Sequence, residues 1–227
     1  MKNYLIIPAR SGSKRIAHKN IRLFCGKPII SYPIIAGRES RLFDEIIVST
    51  DSSEYADVAK KYGASRIFER SAKYANDHAT SAEAVIEVIE QVTDLDSINV
   101  CMTYPTSAFL TLETLIESFD LFLESSCDAL ISIAEYPHPI QRCFVRNQNT
   151  IAYKNPESRN DRTQDLEKHY YDCGQFYWTK ASTLVRNKSF VSASTQGYFL
   201  SDTKFQDLDN ESDWKLAEFK YRYFIGK

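Results

Sequence analysis

Arg10, Lys14, Arg15 and Lys19 crowd into one short stretch, LIIPARSGSKRIAHKN from Leu5 to Asn20, directly behind an apolar run and around a lone glycine, Gly12, flanked by Ser11 and Ser13. Arginine offers a rigid fork of donors, lysine a point charge, and a Ser-Gly-Ser turn presents backbone N–H groups that are free to face an anion. Several cations held together suit a triphosphate. The stretch matches neither GxxxxGK[ST] nor GxGxxG, so a basic surface loop with no ligand stands as the alternative on pattern alone.

Far along the chain, Phe205-Gln-Asp-Leu-Asp209 sets two carboxylates two residues apart, and in an extended segment that spacing points both to one side. Mg²⁺ takes one or two carboxylates together with phosphate oxygens and retained waters. Asp207 and Asp209 are therefore candidate metal ligands, with a solvated acidic turn before the last helix as the competing reading. Asp51, in Ser49-Thr-Asp-Ser-Ser-Glu54, reads as a helix start rather than a ligand. His138 and His169 have no ligand-spaced partner and are assigned to hydrogen bonding. Five cysteines (Cys25, Cys101, Cys127, Cys143, Cys173), odd in number and without a CxxC pair, indicate neither a disulfide framework nor a thiolate zinc site.

The elements that must position these groups are read from hydrophobic period. Tyr4–Pro8, Glu45–Ser49, Ser65–Phe68, Ile98–Met102 and Ala129–Ile133 are strand-like, several too continuously apolar to have a wet face. Between them, 53–62, 80–92 and 112–124 space apolar residues at three and four, and Thr80-Ser-Ala-Glu83 has the form of a capping box. This alternation predicts an α/β fold, a Rossmann-like, mostly parallel sheet with helices on both faces. A loop leaving the first strand of such a sheet lies where ligands bind. After Ala134 the rhythm breaks, with Pro137, Pro139, Pro156 and the charged run Arg159–Asp165. The sheet resumes at Gly174–Trp178, and a final helix falls near 213–223. One domain over 1–227 with an inserted arm at about 134–170 is the expected organisation.

The chain has 227 residues, 43% hydrophobic and 26% charged, which is the composition of a folded globular protein. A net charge of −2 argues against a general nucleic-acid binder, whose affinity comes from many phosphate contacts. Lys2 is followed by a short strand-like run rather than a signal peptide's longer apolar region, and no window is long enough to span a membrane, so the cytoplasm is expected.

With these residues in place, the sequence resembles the CMP-sugar synthetases. IIPARSGSKRIAHKNI is similar to their N-terminal signature IPAR-G-G-S-K-x-x-x-x-K-N, and FDEIIVSTDSSEYADVAKKYGA, ER…NDHATS and YPTS follow in the family's order. YPTSAF, HPIQR, RTQDLEKHYYDCGQFYW and QDLDNESDW resemble the branch that activates pseudaminic acid more than the sialic acid branch, which usually has glutamine where Tyr104 stands and Asn-Gly-Ala where Asp172–Gln175 stands. Ser11 and Arg15 depart from the signature, each replacing a common glycine.

The resemblance implies a nucleotidyltransferase-type fold with a protruding dimerisation arm, and a homodimer whose arm reaches toward the neighbour's site. It implies that Arg10, Ser13, Lys14, Lys19 and Asn20 bind CTP, with Lys19 foremost in charge stabilisation, and that Arg70, Asp77 and Ser81 lie near cytosine and ribose. Asp77 and Ser81 have the alternative of capping the next helix. Arg10, Lys19, Asp207 and Asp209 become the catalytic set, with Mg²⁺ at the two aspartates and Mn²⁺ as the alternative ion. For a carboxylated nine-carbon 2-keto sugar, Tyr104, Gln141, Arg142, Gln164, Asp172, Gln175 and Tyr177 are the acceptor candidates. The reaction implied is attack of a sugar hydroxyl on the α-phosphorus of CTP with loss of pyrophosphate. Pseudaminic acid is the expected acceptor; legionaminic acid, N-acetylneuraminic acid or Kdo would keep the chemistry, and a non-catalytic CTP-binding module is the reading from another class. Small molecules are the expected partners, with no nucleic acid and no membrane.

Overall fold

The continuously apolar runs become the middle of a sheet. In the computed structural model, which describes residues 1–91 and 94–225, every residue of Ile98–Met102 is buried, as is Tyr4–Ile7. Among the described residues the strands are β1 (Lys2–Pro8), β2 (Leu23–Phe24), β3 (Lys27–Pro28), β4 (Glu45–Thr50), β5 (Arg66–Glu69), β6 (Ile98–Met102), β7 (Ala129–Glu135), β8 (Phe144–Asn147), β9 (Thr150–Tyr153), β10 (Tyr170–Lys180) and β11 (Thr195–Phe199). The α-helices are α1 (Ser31–Ser40), α2 (Ser53–Tyr62), α3 (Ser81–Ile89), α4 (Leu112–Glu124), α5 (Ala181–Asn187) and α6 (Glu211–Phe224).

The main sheet is seven-stranded, ordered β11-β7-β10-β6-β1-β4-β5. β4, β1 and β6 pair in parallel, as do β4 with β5 and β7 with β11, while β10 runs antiparallel to both its neighbours. Helices cover both faces, as expected. Residues of α1, α2 and α4 join one apolar cluster with Leu5, Ile7 and Trp178, and residues of α3 and α5 join another with Tyr4, Ile6 and Val100. The chain runs outward from β1 to β5 and then returns to β6 on β1's other side. The carboxyl ends of β1 and β6 therefore form a switch point, the crevice where such sheets hold ligands.

Helix α3 begins with the expected capping box, Thr80 accepting from Glu83 N and Glu83 reaching back to Thr80 N. It ends at Ile89; Val92, included in the expected helical segment, lies outside the described residues. Helix α1 escaped the periodicity reading because Pro33 and Gly37 weigh against a helix. Pro33 sits in the first turn, where its missing N–H costs nothing. Gly37 is required because a Cβ there would collide with Leu5 Cδ2 of β1.

The segment 134–170, read as an excursion, is not structureless: Ala134 and Glu135 still belong to β7 and Tyr170 opens β10. Strands β8 and β9 form a two-stranded hairpin, flanked by short 3-10 turns at Ile140–Arg142, Pro156–Asn160 and Thr163–Asp165. Nearly every hairpin residue is exposed, Phe144, Val145 and Ile151 included.

A third apolar cluster fixes the end of the chain. Phe24 packs edge-on against Tyr32, Phe109, Trp214 and Tyr221, and Arg22 lies 4.6 Å over the Trp214 ring while pairing with Glu211. Docking of α6 in this way brings Asp207–Asp209 back to the loop that follows β1.

Candidate active site

The basic loop is braced before any ligand arrives. Asn20, 6% exposed, donates its Nδ2 to Arg10 O at 2.9 Å. Asp51 is not the cap of α2, which is Ser52; instead it accepts from Ser11 N at 2.8 Å and Ser11 Oγ at 2.9 Å. Ser13 N donates to Ser11 O. The expectation that all the N–H groups of Ser11–Ser13 face outward is therefore corrected: two of them hold the turn in shape. The Ser11 hydroxyl, standing where the signature has glycine, is one of the groups that tie the loop to β4's end.

Lys19 lies where three subsites meet. Its Nζ donates to Leu208 O at 2.9 Å, between the two aspartates. Burial lowers its pKa, and the charges of Asp207 and Asp209 oppose that shift. One subsite is lined by Arg10, Ser13, Lys19, Asn20, Arg70 and Ser81. A second holds Arg10, Lys14, Arg15 and Asp77 beside Lys19. The third is a cavity of about 440 Å³ lined by Lys19, Tyr104, Asp172, Gln175, Tyr177 and Asp207, a volume in the range of small-molecule sites.

Arg70 is 6% exposed, bonded to Ser49 Oγ and Ser49 O, and makes no ion pair among the described residues. A buried cation without a carboxylate is unusual unless it awaits an anion or a polar ligand. Ser81 does not cap α3; its Oγ lies 3.0 Å from Tyr104 Oη. Asp77 does not cap α3 either, and it is absent from the Arg70 subsite. Its carboxylate bridges Arg10 Nη1 and Lys14 Nζ, each at 2.5 Å, and these cations hold its carboxyl down at about 2.

The aspartate pair fits a hard cation in donor type. Asp207 Oδ1 accepts from Leu208 N, Asp209 Oδ1 pairs with Arg15 at 2.8 Å, and the Oδ2 of each makes no hydrogen bond among the described residues. Among the described residues no third His, Cys, Asp or Glu joins them to form a protein cage; Mg²⁺ takes one or two carboxylates and completes its shell with phosphate and water.

The large cavity is shaped by an irregularity of β10. Its register with β7 advances five residues from Asp172 to Tyr177 while β7 moves only from Ile133 to Ile131, so the intervening residues bulge out toward the cleft. Gly174, at φ +68°, makes the turn possible, and the Tyr104 ring lies 3.6 Å from where a Cβ would stand. Side chains satisfy the bulged backbone: Ser132 Oγ accepts from Gln175 N (2.9 Å) and Phe176 N (3.2 Å), Thr103 Oγ1 donates to Gln175 O (2.7 Å), and Ser107 Oγ to Gly174 O (3.3 Å). Gln175 is 4% exposed and its Oε1 has no partner among the described residues. Tyr177 Oη donates to both oxygens of Asp172, and burial foremost pushes its phenol up. Ser132 lies inside the strand-like run 129–133, Thr103 just beyond Met102 and Ser107 in the YPTS stretch; none was assigned a role from sequence, because no local pattern shows what these hydroxyls hold until the bulge is seen.

Gln141, Arg142 and Gln164 line none of these subsites. Gln141 Nε2 donates to Glu167 O and lies 3.1 Å from His169 Nδ1, and Arg142 Nη1 donates to Thr163 Oγ1. All three belong to the excursion, apart from the acceptor candidates Tyr104, Asp172, Gln175 and Tyr177 that do meet in the cavity.

A mostly parallel sheet whose switch point carries a braced polycationic loop, opposed by paired carboxylates and flanked by a second cavity, is the architecture of a nucleotidyltransferase. The cytidylyltransferase family profile matches residues 4–198, and the chain belongs to that family. It is an enzyme that uses CTP as substrate. The chain is 36% identical over 225 residues to the pseudaminic acid cytidylyltransferase of Campylobacter jejuni serotype O:23/36, covering 98% of this chain and 97% of the relative. It is 33% identical to the CMP-N,N'-diacetyllegionaminic acid synthase of Legionella pneumophila, covering 96% and 95%. The fold is similar to that of a CMP:2-keto-3-deoxy-manno-octonic acid synthetase solved with CTP, at TM-score 0.72 and 13% identity over 99% of this chain and all of that one.

Proposed function

We propose that this cytidylyltransferase transfers CMP from CTP to pseudaminic acid, releasing pyrophosphate. The observation that carries the reading is Lys19, which borders the loop subsites and the large cavity and is hydrogen-bonded between Asp207 and Asp209. A cation so placed lies where negative charge develops as the phosphorus passes from pyrophosphate to the acceptor oxygen. Relatives over nearly full length that act on nonulosonic acids support the acceptor class, and the relative named for pseudaminic acid supports that acceptor in particular.

Arg10, Ser13, Lys14 and Lys19 hold the triphosphate, while Asn20 keeps Arg10's backbone in place. Arg70 and Ser81 face the nucleoside side of the same subsite. Asp207 and Asp209 hold Mg²⁺, with Mn²⁺ as the alternative ion. When bound, the metal supplies charge neutralisation at the phosphates. Gln175, with its unpartnered Oε1, accepts from the acceptor's amide or hydroxyl groups, and the Tyr177–Asp172 pair and Tyr104 orient the sugar ring. Positioning of this kind supplies much of the rate in phosphoryl-transfer chemistry.

The chain is one domain with the 134–170 arm inserted, and the arm joins two copies. Its exposed Phe144, Val145 and Ile151 support this, because a two-stranded hairpin with such side chains in water is marginal by itself. Gln141, Arg142 and Gln164 then serve the acceptor site from the neighbouring copy. No helix among the described residues is long and apolar enough to cross a membrane. The enzyme acts on small molecules, in the cytoplasm. The test is pyrophosphate release from CTP and Mg²⁺ with pseudaminic, legionaminic, N-acetylneuraminic acid and Kdo in parallel. Pseudaminic acid is expected to give the highest kcat/KM. Release with none of the four refutes the function, and preference for another sugar refutes the acceptor.

A further inference from the structure

Asp77 serves no visible structural purpose. Helix α3 is capped without it, its side chain is 41% exposed, and its carboxylate makes no hydrogen bond among the described residues except to Arg10 and Lys14. Exposed ion pairs add little to stability. Yet both sides of this contact are built with care. Asn76 folds its turn by accepting from His78 N and Ala79 N and donating to Lys73 O. The loop opposite is held by Asn20 and Asp51. Two braced segments meet so that one carboxylate, two oxygens on one planar group, bridges two cations of a loop suited to phosphate. Arg15 and Lys19 beside them are likewise engaged, by Asp209 and Leu208 O.

We propose that Asp77 is the built-in counter-ion of the polyphosphate site, a specificity-determining residue whose carboxylate sits between Arg10 and Lys14 and is exchanged for phosphate oxygens when CTP binds. The proposal rests on the assignment of this loop to the CTP phosphates. A tethered carboxylate is present at high effective concentration, so a small anion gains little by competing with it. A triphosphate displaces it because it also reaches Lys19 and Arg15. Pyrophosphate left after transfer has lost the link to the nucleoside, and the returning carboxylate helps to expel it. Asp77 thus sets the site against orthophosphate and hastens product departure.

The experiment titrates CTP, inorganic pyrophosphate and orthophosphate into the full chain and its Asp77→Asn variant by calorimetry, at fixed ionic strength and with no acceptor. Wild type is expected to bind pyrophosphate, and the variant to bind it about tenfold tighter, the order expected from releasing two solvent-screened ion pairs; orthophosphate affinity rises as well. Asp77→Ala must behave in the same way. Folded variants that bind pyrophosphate no tighter than wild type overturn the proposal, as does failure of both variants to fold, which would make Asp77 a structural residue. A wild-type chain that binds neither CTP nor pyrophosphate removes the underlying assignment, and the counter-ion role with it.

Discussion

Replacing Ser132 by alanine isolates the bulge of β10 from everything else in the cleft. Ser132 is fully buried and its hydroxyl accepts from two backbone donors, Gln175 N and Phe176 N. Neither donor has a ladder partner, because the β10–β7 register is interrupted between Asp172 and Tyr177. The substitution leaves two buried N–H groups unpaired at ~1–3 kcal/mol each, and partial relaxation brings the sum to about 3 kcal/mol. For a chain of this size that lowers Tm by roughly 6–12 °C. The lost bonds also free Gln175, so KM for the acceptor rises by about tenfold while affinity for CTP stays within about twofold. Ser118→Ala is the control. It removes two buried bonds, the one accepted from Trp178 Nε1 at 3.0 Å and the one donated to Leu115 O at 3.0 Å, costs about 1–3 kcal/mol, and leaves acceptor KM unchanged. Thermal unfolding and steady-state kinetics with each substrate varied supply the readouts. Ser132→Ala within about 0.5 kcal/mol of wild type, with an unchanged acceptor KM, would refute the claim that this hydroxyl holds the bulge.

Lys19→Met is expected to lower pyrophosphate release by about 10²–10³-fold, the scale of losing one preorganised charge partner, with near-wild-type far-UV circular dichroism; a loss under tenfold would remove Lys19 from the catalytic set. Aspartate at both Phe144 and Ile151 is expected to convert a dimer into a monomer in sedimentation and to weaken acceptor use more than CTP binding; a wild-type monomer with full activity refutes the arm's role. Burial pushes the Cys173 thiol up to about 11 and that of Cys101 well above its ordinary value. Since the thiolate is the nucleophile, both remain thiols near pH 8, and their alkylation rises only as the pH climbs toward those raised values. Mass spectrometry of native protein treated with iodoacetamide should find them unmodified at that pH while the partly exposed Cys127 and Cys143 react, and Cys25, partly exposed but with its thiol also pushed up by burial, reacts more slowly.

Much of the scaffold could be read from local pattern. Strand β6 and helices α2 and α4 fall where the periodicity placed them, and the capping box at Thr80 forms as its spacing implies. Strand β6 is buried throughout and each helix lays one face on the sheet, so period alone specifies them. Helix α1 was hidden by Pro33 and Gly37, whose costs vanish at a first turn and under Leu5. Strand β10 was recognised only from Gly174 to Trp178, because its polar first half borders the cleft. The stretch Asp51–Glu54 opens α2 as read, with Ser52 as the cap, but only the approach of Ser11 from β1's loop shows what Asp51 itself binds.

Composition, spacing and order determined that the chain alternates strands and helices, that its cations gather after the first strand, and that two acids stand two residues apart near its end. Each is a property of a few consecutive residues, governed by steric period and local charge. Which cation answers which anion was decided by the tertiary fold. Asp77 could have faced a nucleoside, and Asp209 could have stood in water; instead the parallel crossovers and the seating of α6 on Phe24 bring them against Arg10, Lys14 and Arg15. Electrostatic pairing depends on distances of a few ångströms between residues far apart in sequence, and only the packed sheet and helices fix those distances.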